Sequence, residues 1–206
     1  MGIAVSAYVR QFYRGNLFGT TDTLRHGYYS GKLASADIKA IRRGLKDLRG
    51  YDYDDGEGGE LINKVQAFAK TYNHLIESSG DMEDYDFNRS VSKLKKMTRQ
   101  EKEKLADMGI TVLSSGKLKI DKEALQNSSR NMVSKVFSDD AEFSKGLEKQ
   151  LKKVFNQIRR NNLETPKKKS TGGTLKNENP QAYGADAQTA RQLEEMAAGG
   201  QVDYSV

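Results

Sequence analysis

Cysteine and tryptophan are absent from this 206-residue chain, which also has only two prolines and two histidines. The lack of cysteine excludes disulfide bonds, thiolate metal ligands and a cysteine nucleophile. Because His26 and His74 are the only histidines, a histidine-based metal site would need carboxylates to complete it. No apolar run approaches the ~18 residues of a membrane-spanning helix. The N-terminus has no basic segment followed by an uninterrupted apolar one, so we expect neither a membrane span nor a cleaved signal peptide.

Charged residues are abundant but mixed in sign, with 34 lysines and arginines against 28 acidic residues and a net charge of +6. The most basic predicted helix carries a candidate basic surface of five cations: Lys39, Arg42, Arg43, Lys46 and Arg49. With the lysines at 167–169, this surface makes a nucleic-acid-binding helical module the alternative function. The plainer interpretation of such a surface is a solvated charged face.

Two long segments carry apolar residues at steps of three and four, the pattern of a helix that packs lengthwise on another helix. In the first segment these residues are Leu61, Val65, Phe68, Tyr72 and Leu75. In the second they are Phe143, Leu147, Leu151, Val154 and Ile158. We call these two sets the seams, and they are the candidate positions for helix packing or for binding a partner.

Between the seams the apolar residues alternate with polar ones, which is typical of strands. Ile110 and Val112 form one such pair, and Leu118 and Ile120 form the next. Gly116 in the connecting Ser-Ser-Gly-Lys segment can adopt the positive φ that a tight turn needs. The pattern predicts a β-hairpin at residues 110–120, followed by a helix that Asp121 caps.

The predicted fold class is mainly α: an elongated antiparallel helical bundle with coiled-coil-like long helices and one small β-hairpin. Ser35 suits the N-cap of the first long helix. The predicted organisation is an irregular N-terminal arm with a short helix (1–34), the helical bundle (35–161), a flexible basic linker (162–182), and a short C-terminal helix and tail (183–206).

The sequence has no glycine-rich phosphate-binding motif and no recognisable catalytic triad, so we predict a protein that is not an enzyme and has no cofactor or metal. The acidic segment 52–60 lacks the ligand spacing of a calcium loop. The acidic residues of segment 77–84 lie in a polar loop, where they would not be desolvated enough to shift their pKa values. A hydrolase or metal enzyme built on these two loops is a third hypothesis. His74 lies off the first seam, which predicts a surface or boundary position.

Residues 61–160 resemble the C-terminal helical stalk region of the flagellar hook-associated protein 2 family, the filament-capping proteins. The long helix of that family reads roughly V-x-A-Y-N-x-L-I, and this chain has Val65-Gln-Ala-Phe-Ala-Lys-Thr-Tyr-Asn-His-Leu-Ile76. A later family block, L-x-x-x-G-I followed by G-x-L-x-x-D-x-x-x-L and V-x-x-x-F, is matched by residues 105–110, 116–125 and 133–137. The polymerising terminal helices of the family have no counterpart here.

The resemblance implies a bacterial, flagellum-related structural or assembly protein that acts through helix–helix protein interactions. We expect a protein partner or self-association. The mixed charge makes nucleic acid a less favoured partner, and no small-molecule substrate is evident from the residues. The expected location is the cytoplasm, or outside it after export by a flagellar-type route.

Overall fold

The computed structural model describes residues 3–165, and for Ile3 and Ala4 it describes only their place in the first helix. The chain divides into two units, residues 1–167 and 168–206. The lysines at 167–169, most of the predicted linker and the predicted C-terminal helix lie outside the described residues.

The described residues form helices joined by short loops, with one two-stranded antiparallel sheet. In chain order the elements are α1 (Ile3–Phe12), a 3-10 turn (Leu17–Gly19), α2 (Asp22–Arg25), α3 (Ser30–Arg49), α4 (Gly58–Ser78), α5 (Tyr85–Gln100), α6 (Lys102–Asp107), β1 (Ile110–Val112), β2 (Leu118–Ile120), α7 (Lys122–Asn127), α8 (Arg130–Phe137) and α9 (Glu142–Arg160). The predicted class, mainly α with one β-hairpin, is confirmed. None of these helices is both long enough and apolar enough to cross a membrane.

Helix α3 is the central element, because it packs against α1, α4 and α9. Its large apolar residues face one side, and small residues on its other sides let neighbouring elements approach closely. A Cβ atom on Gly44, for example, would lie 2.7 Å from the ring of Phe12 in α1. A hydrophobicity pattern shows only the large apolar residues of α3, because glycine and alanine do not stand out in it as a packing face.

The predicted start of this helix at Ser35 is wrong, since α3 begins at Ser30. Ser35 is buried inside the helix, and its hydroxyl donates a hydrogen bond to the carboxylate of Glu164. The serine side chain therefore serves a tertiary contact instead of capping the helix.

The short helix predicted in the N-terminal segment is present as α1, but residues 3–34 are part of the bundle rather than an irregular arm. Helix α1 packs on α3 and α4. Phe12 and Tyr13, at its C-terminal end, are completely buried. These aromatic rings lie against Ala36, Ala40 and Ala67 in a second small core. The alanines leave the space that the aromatic rings fill.

Every residue of the two seams is buried, with at most 8% of its surface exposed. Helix α4 packs mainly on α3 and α1, whereas α9 packs mainly on α5 and α3. Aromatic rings bridge the two seam helices, because Phe137 of α8 lies 5.2 Å from Phe68 and 6.3 Å from Phe143 between ring centroids. The seams therefore form the core of this chain and offer no exposed apolar stripe to a partner.

The predicted hairpin is present, and its strands pair with Ile110 opposite Ile120 and Val112 opposite Leu118. Gly116, in the turn of the hairpin, has a φ of +89°, which is the positive φ predicted for this glycine. Asp121 accepts hydrogen bonds from the backbone N–H groups of Glu123 and Ala124, which confirms it as the N-cap of α7. Strand β2 lies against α4, so the hairpin gains from the bundle the support that two strands alone lack.

Candidate functional site

A fully buried carboxylate, Asp37, lies in the middle of α3. Arg25 at the end of α2 pairs with it through two hydrogen bonds, 2.7 Å to Oδ1 and 3.0 Å to Oδ2. The Tyr13 hydroxyl donates to Oδ1 at 2.6 Å, and the Ser78 hydroxyl donates to Oδ2 at 2.6 Å. Each oxygen thus accepts two hydrogen bonds, which is the condition under which a buried carboxylate is tolerated.

Arg25 also fixes the backbone around this ion pair. Its Nη1 donates to the carbonyl of Gly19 at 3.1 Å, and its Nη2 donates to the carbonyl of His74 at 3.2 Å. One guanidinium therefore links the 3-10 turn, α2, α3 and α4. The network ties the N-terminal segment to the two central helices.

His74 joins this network, so its predicted surface or boundary position is wrong: only 4% of it is exposed. Its Nδ1 lies 2.9 Å from the Tyr13 oxygen. Since the Tyr13 hydroxyl proton is donated to Asp37, Nδ1 must carry a proton and donate to Tyr13. Nε2 is then unprotonated in the neutral ring. Burial, together with the charge of Arg25, lowers the pKa of His74 and favours this neutral form.

An open groove of about 1200 Å³ runs along the outer side of α4. Its floor is a stripe of α4 residues spaced three or four apart, which places them on one helix face. The stripe runs from Gly59 to Glu77. The side walls come from α1 on one side and from β2 and α7 on the other, and we call this feature the α4 groove.

Asn73, on the floor of the α4 groove, binds the outer edge of the hairpin. Its Nδ2 donates to the Leu118 carbonyl at 2.8 Å, and the Leu118 N–H donates to its Oδ1 at 2.7 Å. The side-chain amide thus takes the place of a neighbouring strand at the edge of β2, where an unpaired backbone would otherwise invite another chain. Asn73 and Leu118 belong to the two separate sequence blocks that carry the family resemblance.

Replacing Asn73 by alanine should lower the free energy of unfolding by about 1–3 kcal/mol, because the Leu118 N–H and C=O lose their partners. Chemical denaturation measures the loss, and hydrogen exchange of the hairpin amides should accelerate. Asn63→Ala is the matched control, since Asn63 lies on the same helix and in the same groove without a role in the hairpin. Equal stability of the two variants would contradict this assignment.

A group with metal-binding chemistry lies beside the groove. Asp22, His74 and Glu77 each place one potential ligand atom within 4.8 Å of the other two, and no other such group occurs among residues 3–165. Asp22 and Glu77 are exposed, and Glu77 also pairs with Lys117 at 2.8 Å. In the sequence, Glu77 stands only with its acidic neighbours in the 77–84 loop, and nothing local connects it to Asp22.

The two acidic loops of the sequence hypothesis serve local structure. In the 52–60 loop, Asp52 accepts hydrogen bonds from the backbone N–H groups of Asp54 and Asp55, which lower its pKa. In the 77–84 loop, Asp84 caps α5 by accepting from the N–H of Phe87 at 2.9 Å. The acidic residues of each loop therefore do not come together as a metal-binding group within the described part of the chain.

Three of the five cations of the candidate basic surface have partners within the bundle. Arg49 pairs with Asp139 and Glu148. Arg43 donates to the carbonyl of Phe12 at 2.7 Å, and Lys39 lies 4.0 Å from Glu164. Arg42 and Lys46 are the remaining two. A nucleic acid would therefore meet a smaller positive surface on α3 than the sequence pattern indicates.

Comparisons with models of known protein families, with curated proteins and with solved structures found no match to this chain. We therefore infer its function from the chemistry of its own residues and from the resemblance in residues 61–160.

Proposed function

We propose that this chain is a non-enzymatic structural or assembly protein that binds a helix of another protein in the α4 groove. The proposal keeps the helix–helix binding implied by the flagellar filament-cap resemblance, but it moves the binding surface. Because the seams are buried in the chain's own core, the outer side of α4 is the part of that helix available to a partner.

The observation that carries the proposal is the uncharged part of the groove floor from Gly59 to Ala69, since the charged floor residues Lys70 and Glu77 lie beyond it. Four lining residues along α4 are Ile62, Asn63, Gln66 and Ala69, although 30% of the whole chain is charged. The centres of protein–protein interfaces are similarly depleted of charge. A phosphate backbone would instead require lysines and arginines along such a surface.

The length and walls of the groove favour a helical ligand. From Gly59 to Glu77 the stripe extends about 27 Å at 1.5 Å per residue. A trough of this length with walls on both sides suits a helix that lays one face along it, which is a common mode of peptide recognition. Small-molecule pockets, by contrast, enclose most of their ligand.

The buried network further supports a structural role. Both oxygens of Asp37 are saturated by donors, so this carboxylate is not available as a base. Tyr13 and Ser78 donate their hydroxyl protons to it. These side chains connect helices, which is consistent with a scaffold that holds the groove in shape.

The test compares two matched arginine substitutions with the unmodified chain. Asn63→Arg places a long charged side chain on the groove floor, whereas Asn156→Arg makes the same change on the exposed side of α9. In affinity capture from cells that produce the protein, a specific partner should be retained by the unmodified chain and by Asn156→Arg. Asn63→Arg should lose it, and hydrogen exchange of the purified complex should show protection along the groove and on one helix of the partner.

Two outcomes would overturn the proposal. One is a retained partner whose capture is insensitive to Asn63→Arg. The other is nucleic-acid binding in a gel-shift assay that falls steeply with salt and is lost on replacing Arg42 and Lys46, which would favour the alternative function.

A further inference from the structure

We propose that Asp22, His74 and Glu77 bind one divalent first-row transition-metal ion, with Zn²⁺ as the reference ion, at the end of the α4 groove. This site goes beyond the proposed helix-binding function and does not depend on it. The three side chains come from α2 and α4, and their ligand atoms lie within 4.8 Å of one another.

The first argument is the orientation of His74. Its Nδ1 is committed to Tyr13 at 2.9 Å, so its unprotonated Nε2 keeps a free lone pair. Among residues 3–165 no hydrogen bond engages Nε2, and the residue lines the groove although it is nearly fully buried. A neutral imidazole with one free nitrogen is the form that metal ions bind.

The second argument is the support behind the histidine. Histidines that bind metals almost always donate their other N–H to a fixed acceptor, which sets the ring orientation and raises the basicity of the ligand. Here Nδ1–H donates to Tyr13, and Tyr13 in turn donates to Asp37 at 2.6 Å. Because Asp37 is held by Arg25 and Ser78, the imidazole is fixed before any ion arrives.

The third argument is the exposure of the two carboxylates. His74 and Glu77 are three residues apart on α4 and lie on one helix face, while Asp22 faces them from α2. At metal–ligand distances of ~2.0–2.2 Å, tetrahedral ligand atoms lie roughly 3.5 Å apart. Since Asp22 and Glu77 are exposed, small side-chain rotations can bring their oxygens to this distance.

Local charges favour a dication and define a competitor for it. The two carboxylates would neutralise the ion, and the charge of Arg25 is already matched by Asp37. Lys117 pairs with Glu77 at 2.8 Å. When a metal ion binds, Lys117 would have to release one oxygen of this carboxylate or remain bound to the carboxylate together with the ion. One imidazole with two carboxylates suits Zn²⁺ or Mn²⁺ better than Ca²⁺.

Isothermal titration of the full chain with ZnCl₂ tests the proposal. We expect one site, weakened about tenfold or more in Asp22→Asn and in Glu77→Gln, because each change removes a charged ligand. Lys117→Met should bind Zn²⁺ more tightly, since it removes the competing ammonium group. His26→Ala, which changes the other histidine, should bind as the unmodified chain does. Co²⁺ should give a visible absorption band that Glu77→Gln shifts or abolishes.

The carboxylate variants keep this test independent of folding, because both residues are exposed while His74 is buried. Absence of a Zn²⁺ site in the folded chain would overturn the proposal. So would unchanged affinity in both carboxylate variants, or loss of binding in His26→Ala. None of these results bears on capture of a helical partner, so failure here is distinguishable from failure of the proposed function.

Discussion

Replacing Asp37 by alanine is expected to lower the free energy of unfolding by about 3–5 kcal/mol, because the guanidinium of Arg25 would stay buried without its counter-ion. The Tyr13 and Ser78 hydroxyls would lose their acceptor in the same change. Since small domains are stable by only about 5–15 kcal/mol, this single substitution should bring the bundle close to unfolding. Urea denaturation followed by circular dichroism measures the loss.

A double variant separates the loss of charge pairing from the loss of packing. Changing Arg25 to methionine and Asp37 to leucine together replaces the ion pair with apolar groups of similar bulk. We expect this double variant to be more stable than Asp37→Ala, because replacing a buried pair costs less than orphaning one charge. A loss below about 1 kcal/mol in Asp37→Ala, or a double variant that is less stable than Asp37→Ala, would contradict the role given to this pair.

Replacing Gly109 by alanine should destabilise the chain by about 2–4 kcal/mol, which combines backbone strain with overpacking. Gly109 joins α6 to β1 with a φ of +76°, where residues with a side chain are strained. A Cβ atom there would also lie 2.6 Å from the Cβ of Ala124 and 3.0 Å from the carbonyl of Asp121. The hairpin would have to move away from α7, so hydrogen exchange of the hairpin amides should accelerate along with the loss in thermal stability.

Gly27 is the matched control for this prediction. It has a similar φ of +88°, but nothing lies within 4 Å of the position its Cβ would take. Gly27→Ala should therefore cost no more than about 1 kcal/mol, since only the backbone strain applies and the unfolded chain loses some entropy. If the two alanine variants were equally stable, the close packing of Gly109 on α7 would be refuted.

Local signals in the sequence predicted the hairpin well. The alternation of Ile110 and Val112, the glycine at 116 and the cap at Asp121 each act within a few residues. The same kind of reasoning misplaced the start of α3. Ser35 has the chemistry of an N-cap, but its partner Glu164 is 129 positions away along the chain. No pattern around Ser35 contains that information.

The buried network was beyond the reach of sequence patterns for the same reason. Tyr13 and Asp37 are 24 positions apart, and Asp37 and Ser78 are 41 apart. One signal was present, because Asp37 interrupts the otherwise apolar and small segment from Leu33 to Ile38. A lone carboxylate in such a segment indicates a buried charge that must find a cation, although it does not name Arg25.

The seams show a different limit of sequence reasoning. Residues such as Phe68 and Leu151 have the spacing of a helix that packs lengthwise, and that spacing is the same whether the neighbouring helix belongs to this chain or to another. Only the structure assigns them to the chain's own core. This assignment separates a closed bundle that binds through its outer groove from a chain that assembles through its seams.

Light scattering coupled to size-exclusion chromatography, over a wide range of protein concentrations, tests that distinction most directly. With the seams buried, the isolated 206-residue chain should remain a monomer of 23.0 kDa at every concentration. The contradicting result is a mass that rises with concentration and returns to the monomer value when seam residues, but not groove residues, are changed. It would show that the seams bind another copy of the chain and do not form its own core.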